Sequence, residues 1–327
     1  MEQSNVEKNY QLLDEMTEYV EKNMKLSYME SLIIGLEYVF TQSPPEEMSE
    51  SVQQFVDEKI SALSFDKLKK EEIRKVIQLA ILKSMKGATQ QQHLITPDTV
   101  AMFIGYVAQK LVHNNEKIRI FDPASGTANL LTAVINQLGM EVKAYGSEID
   151  PTLIKLGLIN ANIQKTEIEY FHQDSLQPFL LEPVDLVISD LPVGYYPDDV
   201  RASEYQLNVA DGHAYSHHLF IEQSVHYTKD GGFMLFVIPN FLFDSDQADK
   251  LHVYLQQHVH IVGLLQLPTS IFASEKQAKS ILILQKKGEN TKAPKQALLA
   301  QLPSFKDIRA TEQIVEKMNH WFKNEGY

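Results

Sequence analysis

Residues 118–131, Ile-Arg-Ile-Phe-Asp-Pro-Ala-Ser-Gly-Thr-Ala-Asn-Leu-Leu, constrain the fold of this chain more than any other stretch. An apolar β-type run, Ile118 to Phe121, ends in the carboxylate of Asp122 and passes through small residues. It then opens into helical spacing at Leu130, Leu131, Val134, Ile135 and Leu138. Strand, tight small-residue turn and helix is the first βα unit of a nucleotide-binding doubly wound sheet. Small residues are needed because backbone N–H groups and a helix N-terminus must come close to a ligand. Asp122, at the strand end, is able to accept hydrogen bonds from a cationic ammonium group.

Strand and helix alternate from there on. Further strands are predicted over 142–148, 168–172, 184–190, 233–238, 261–267 and 280–285, making seven with the first. The run 184–190 is nearly all apolar, as a central parallel strand covered on both faces must be. The last two strands are joined by a connection too short for a crossover helix, so they read as antiparallel. The expected fold is therefore α/β, a mixed seven-stranded sheet with helices on both faces. The segment 191–216 is polar, Tyr-rich and too long for a plain connection, which marks it as a functional loop.

Residues 1–90 read instead as a smaller α-helical domain, with 91–327 as the sheet domain. Val6, Tyr10, Leu13, Met16, Val20 and Met24 recur at helical spacing, and three more helical runs follow, the last across 67–85 with Lys86 and Gly87 closing it. No acid/base constellation occurs among them, so packing or contact with a protein partner is the expected role. Gln90–Asp98 reads as a linker. Thr96 is suited to cap the following helix, with Pro97 at its first position.

Composition narrows the chemistry. There is no cysteine in the 327 residues, which excludes disulfides and cysteine-based metal sites or nucleophiles. No apolar run is long enough to span a bilayer and no basic n-region precedes one, so no membrane contact and a cytoplasmic location are expected. The net charge of −13 disfavours nucleic acid as a partner, because phosphate neutralisation supplies most non-specific affinity. His213, His217 and His218 point in different directions if helical, so no metal site is expected.

Four acids stand at successive strand ends: Asp122, Glu148, Asp174 and Asp190. Ligands of open α/β sheets bind outside those carboxyl ends. Glu148 follows Asp122 by 26 positions, which suits a carboxylate gripping both ribose hydroxyls of an adenosine. Asp174 is placed to accept from an adenine amino group, with Ile149 against the ring face. A nicotinamide dinucleotide needs G-x-G-x-x-G and a partner for its pyrophosphate. Ala124-Ser125-Gly126-Thr127-Ala128 holds only the central glycine, so a phosphate-free adenosyl ligand, S-adenosylmethionine, is preferred.

These residues resemble motif I of the N6-adenine DNA methylases, specifically the methylation subunits of type I restriction systems. The resemblance continues through His93-Leu-Ile-Thr96-Pro97, Gly146-Ser-Glu148-Ile149-Asp150, His172-Gln-Asp174-Ser175-Leu and Ser189-Asp190-Leu-Pro192-Val-Gly194. It ends with Gly231-Gly232-Phe and Leu267-Pro268…Ile271-Phe272. In size and in its 190–197 loop the chain most resembles the small YtxK-type members. The resemblance implies a class I (Rossmann-like) methyltransferase fold. It places Thr96, Asp122, Ala124, Gly126, Glu148, Ile149 and Asp174 around S-adenosylmethionine, and Asp190 and Pro192 at the catalytic loop; Ser125, Thr127, Asn129 and Ser175 beside them are further expected cofactor-binding residues.

The family's loop reads Asn or Asp, Pro, Pro, aromatic. Here Leu191 and Val193 stand in for the first proline and the aromatic ring, so Tyr195 or Tyr196 is expected to swing in and stack on the acceptor base. The implied function is N-methyl transfer to an adenine amino group of DNA or RNA. A protein glutamine, or cofactor binding without catalysis as a sensor or partner protein, are the alternatives. Only about 40 residues follow the last predicted strand, too few for a target-recognition module.

Overall fold

The computed structural model describes residues 4–85, 95–272 and 274–327. His93 and the predicted helix end at Lys86 and Gly87 lie outside the described residues. Helices α1 (Asn5–Met24), α2 (Tyr28–Thr41), α3 (Glu50–Ala62) and α4 (Lys70–Ser84) form the first layer. Ser4 and Ser27 cap α1 and α2 through reciprocal bonds with Glu7 and Glu30. Their apolar stripes meet in a core containing Leu13, Met16, Leu36, Val56, Val76 and Ile77. That core continues into Leu156, Ile159 and Ile163 of α7 (Pro151–Ile163), so the helical layer is welded onto one helix of the sheet domain.

The sheet has strands β1 (Lys117–Asp122), β2 (Glu141–Glu148), β3 (Ile168–His172), β4 (Val184–Asp190), β5 (Thr228–Pro239), β6 (Val259–Gln266), β7 (Lys279–Lys286) and β8 (Leu298–Gln301). Their order is β3-β2-β1-β4-β5-β7-β6-β8. The first five strands pair in parallel, and β7 inserts antiparallel between β5 and β6. Side chains alternate between two cores, as the period of two requires. Ile118, Ile120, Leu186 and Ile188 face α5 (Asp98–Val112), α6 (Asn129–Leu138) and α11 (Ile308–Glu325). Phe121, Val184 and Val187 face α9 (Ser216–Tyr227) and α10 (Ala248–His258), which follow the one-turn α8 (Asp199–Ala202).

Two expectations are corrected. The sheet has eight strands rather than seven, because Leu298–Gln301 adds a short parallel edge to β6. Gly263 makes room for it: a Cβ there would lie 2.8 Å from the Leu298 carbonyl oxygen. Gly231 and Gly232, which the predicted strand 233–238 leaves outside it, lie within β5 at a bulge, since Val184 pairs with Thr228 and Leu186 already with Phe233. Among the described residues, no helix is long and apolar enough to cross a membrane.

Strand β1 lies between β2 and β4, so successive crossovers leave it in opposite directions. This is the switch point, and the carboxyl ends of β1, β2 and β4 open into one cleft there.

Candidate active site

The turn after β1 builds the floor of that cleft. Gly126 takes φ +51°, a conformation that costs glycine little, and Ala128 follows at φ +60°. The Ser125 N–H donates to the Ser147 carbonyl at 2.9 Å, and the Gly126 N–H donates to Glu148 Oε2 at 2.9 Å. The resulting cavity of about 320 Å³ is lined by Thr96, Asp122, Ala124, Ser125, Gly126, Thr127, Asn129, Glu148, Asp190 and Pro192. Ten of the expected residues are therefore brought together. The Thr127 hydroxyl is buried without a hydrogen-bond partner among the described residues.

Asp122 is 1% exposed, and its Oδ1 accepts from the Ala124 N–H at 3.1 Å and the Ser189 hydroxyl at 3.0 Å. Burial pushes its carboxyl up to about 7, aided by the Glu148 and Asp190 charges and opposed by those two hydrogen bonds. Glu148 accepts the Ile149 and Asp150 N–H groups on Oε1, each at 2.9 Å, besides Gly126 on Oε2. One acceptor position on Oε2 is left for a ligand hydroxyl.

Asp190 ends β4 and closes the cleft. Lys279, the first residue of β7, donates to its Oδ1 at 2.6 Å, and the Thr96 hydroxyl donates to its Oδ2 at 3.1 Å. Thr96 therefore spends its side chain on Asp190. It does not cap α5, which begins at Asp98 with no side-chain cap. The Asn129 amide holds the Thr96 carbonyl at 3.0 Å, and Asn129 Oδ1 accepts from Arg74 of α4 at 2.6 Å. Arg74, fully buried, also binds Glu71 and Asp98. The helical layer thus reaches the cleft through one guanidinium.

Five expected residues do not border the cavity. Asp174 accepts the Leu176 N–H at 2.9 Å and the Tyr196 hydroxyl at 2.5 Å. Tyr196 is consequently buried, where it cannot stack on an acceptor. Tyr195 is 59% exposed and stacks on Tyr215, with ring centroids 4.8 Å apart, outside the cleft. Ser175 is a buried strut between the Pro123 carbonyl and the Ser147 hydroxyl, and Ile149 is 63% exposed. Sequence reasoning missed Ile95, Leu130, Leu153 and Lys279 in the lining. Only Lys279 left a local signal, a lysine just ahead of the apolar run Ile281–Leu284.

The histidine cluster has another character. His217 and His218 are buried with rings 5.0 Å apart, and their nitrogens have no partner among the described residues. Burial lowers them to about 3 and about 4, so both are neutral at pH 7.

The N-6 DNA Methylase family model matches residues 64–325, and that of the YtxK N-terminal helical domain matches residues 7–85. The chain belongs to the N-6 DNA methylase family. It is 44% identical over 332 residues to "Uncharacterized protein YtxK" of Bacillus subtilis (strain 168), covering 99% of this chain and 100% of that one. A crystal structure from Listeria monocytogenes, provisionally described as a class I S-adenosylmethionine-dependent methyltransferase, is similar at TM-score 0.91 and 38% identity. That match covers 97% of this chain and 99% of the other. The type I restriction-modification methyltransferase subunit from Streptococcus thermophilus matches at TM-score 0.64 and 15% identity, covering 94% and 74%, a likeness of fold.

The cofactor of this methyltransferase fold is S-adenosylmethionine. The cleft suits it chemically: carboxylates for a ligand that carries an ammonium and a sulfonium, a small-residue turn for close approach, and a buried Thr127 hydroxyl without a partner among the described residues.

Proposed function

We propose that the chain transfers the methyl group of S-adenosylmethionine to a planar amino nitrogen of the adenine type. The observation that carries this reading is the position of Asp190, a carboxylate at the end of β4 held by Lys279 and Thr96 on the rim of the cofactor cleft. When bound, the cofactor supplies a methyl group on a sulfonium, which leaves as a neutral thioether. Asp122 accepts the ligand's ammonium, and the open position on Glu148 Oε2 takes a ribose hydroxyl. Asp190 accepts one N–H of the amino group, which turns the nitrogen lone pair toward the methyl. As the N–C bond forms, the nitrogen sheds its proton along that hydrogen bond. Rate then comes chiefly from orientation and proximity.

The test is Asp190→Asn, assayed with labelled S-adenosylmethionine against total cell DNA, RNA, protein and small-molecule fractions. The asparagine keeps the shape and leaves Lys279 an oxygen to bind. Turnover is expected to fall by about a hundredfold or more while cofactor affinity stays within about twofold. Undiminished turnover would remove Asp190 from the chemistry.

A second reading, cofactor binding without catalysis, is favoured by Leu191 and Val193 and by the donors already on both Asp190 oxygens. Any protein-dependent labelled product in the same assay refutes it.

A further inference from the structure

Helix α4 carries apolar side chains on two faces. Ile73, Val76, Ile77, Ala80 and Ile81 enter the helical core. Leu79 and Leu82 do not; they are 39% and 41% exposed. With Lys75 and Gln78 they form an i, i+3, i+4, i+7 stripe along a second cavity of about 540 Å³. Its far wall is Leu267, Ile271 and Phe272, from the segment that follows β6. Asp190, Lys279 and Ile95 border both this cavity and the cofactor cleft, so the two meet at the Asp190–Lys279 pair.

We propose that this cavity is the methyl-acceptor site and that the acceptor is a small molecule with an apolar body and a planar amide or amidine head. The proposal rests on the methyl-transfer reading and names its substrate class. The volume lies in the range of small-molecule sites, roughly 300–1,000 Å³, and apolar walls with a few convergent polar groups are their usual build. The head follows from the pair. A carboxylate only accepts and an ammonium only donates, so a group meeting both carries an N–H beside an oxygen or ring nitrogen. A simple alkylammonium would meet the like charge of Lys279. A nucleic acid strand would bring phosphates to a largely apolar cavity whose two lysines, Lys75 and Lys279, are matched by Asp98 and Asp190, on a chain of net charge −13. In the transfer, one N–H of the head becomes N–CH3, the S–CH3 bond breaks to leave the thioether, and the proton passes along the hydrogen bond to Asp190 and from there to solvent. The helical layer thereby becomes one wall of the substrate site.

The test titrates the full chain, saturated with S-adenosylmethionine, with 2-naphthamide, with 2-naphthylmethylamine and with single-stranded oligo(dA) by calorimetry. The amide is expected to bind at least about tenfold more tightly than the alkylammonium, which cannot satisfy Lys279. Leu82→Arg and, separately, Leu79→Arg are expected to weaken the amide by about tenfold or more through lost apolar surface and an added charge, with cofactor affinity unchanged. Both leucines are partly exposed, so the fold tolerates the change. A chain that binds the cofactor but not 2-naphthamide, or whose arginine variants bind it equally, overturns the proposal. So does oligo(dA) displacing the amide. Loss of cofactor uptake with retained amide binding would sink the methyl-transfer reading and leave the cavity's ligand class standing.

Discussion

Lys279 and Asp190, 89 positions apart in the chain, form an ion pair of 2.6 Å with side chains only 11% and 18% exposed. The pair lies where the cofactor cleft and the inter-layer cavity meet, and the Thr96 hydroxyl donates to the carboxylate's other oxygen.

Removing one member strands the other away from water. Lys279→Met should lower unfolding stability by roughly 3 kcal/mol, since breaking a buried pair costs more than the pair itself contributes. In an Asp190→Asn background the same change should cost clearly less. A double-mutant cycle by urea denaturation reads the coupling, and additive costs would mean that the pair is not formed.

Asp122 gives cofactor uptake a pH dependence. Its carboxyl titrates at about 7, so the anion that faces a ligand ammonium is a minority at pH 6 and dominant at pH 8. Affinity should rise by about tenfold across that interval and then level off. Stability runs the other way. The folded pKa lies above the unfolded one, so the contribution is full at low pH and fades as pH rises through 7. Wild type should therefore lose ground to Asp122→Asn between pH 5 and pH 8, as paired calorimetric titrations and melts would record.

Arg74 ties α4 to Asp98 and to Asn129 in the cofactor cleft. Arg74→Ala should destabilise the fold by roughly 3–5 kcal/mol, because Glu71 and Asp98 lose their counter-charge. Arg74→Lys keeps the charge without the fork, and should recover part of the stability but not the cofactor affinity that depends on Asn129. Equal cofactor affinity in both variants and wild type would uncouple the helical layer from the cleft.

His217 and His218 act on acid stability. Burial is the main cause of their lowered values, with His218 adding to the effect at His217 and Asp246 opposing it at His218. The unfolded chain binds these protons near pH 6.5 and the folded chain only near 3 to 4. The contribution is full above about 6.5 and is lost as pH falls. Measured against a His217→Leu/His218→Leu variant, wild type should lose roughly 2 kcal/mol or more between pH 7 and pH 5. A pH-independent difference would mean that the rings carry partners in solution.

The alternation of strand and helix, the small-residue turn and the acids at the strand ends could be read without coordinates. Each is a local property: a period of two or 3.6, a backbone that must avoid Cβ atoms, a polar group where an apolar run stops. Long-range packing decided the rest. Thr96 reads as a cap because capping is local, yet its hydroxyl lies on Asp190 of β4. Tyr196 reads as a free ring in a loop, but Asp174 accepts its hydroxyl and draws it inside. Strand β8, only four residues long, is a strand because Gly263 leaves room for its backbone. Lys279 is an unremarked lysine until β7 inserts between β5 and β6 and brings it to Asp190. A hydrogen bond or an ion pair belongs to two residues at once, and for these the second residue is supplied only by the fold.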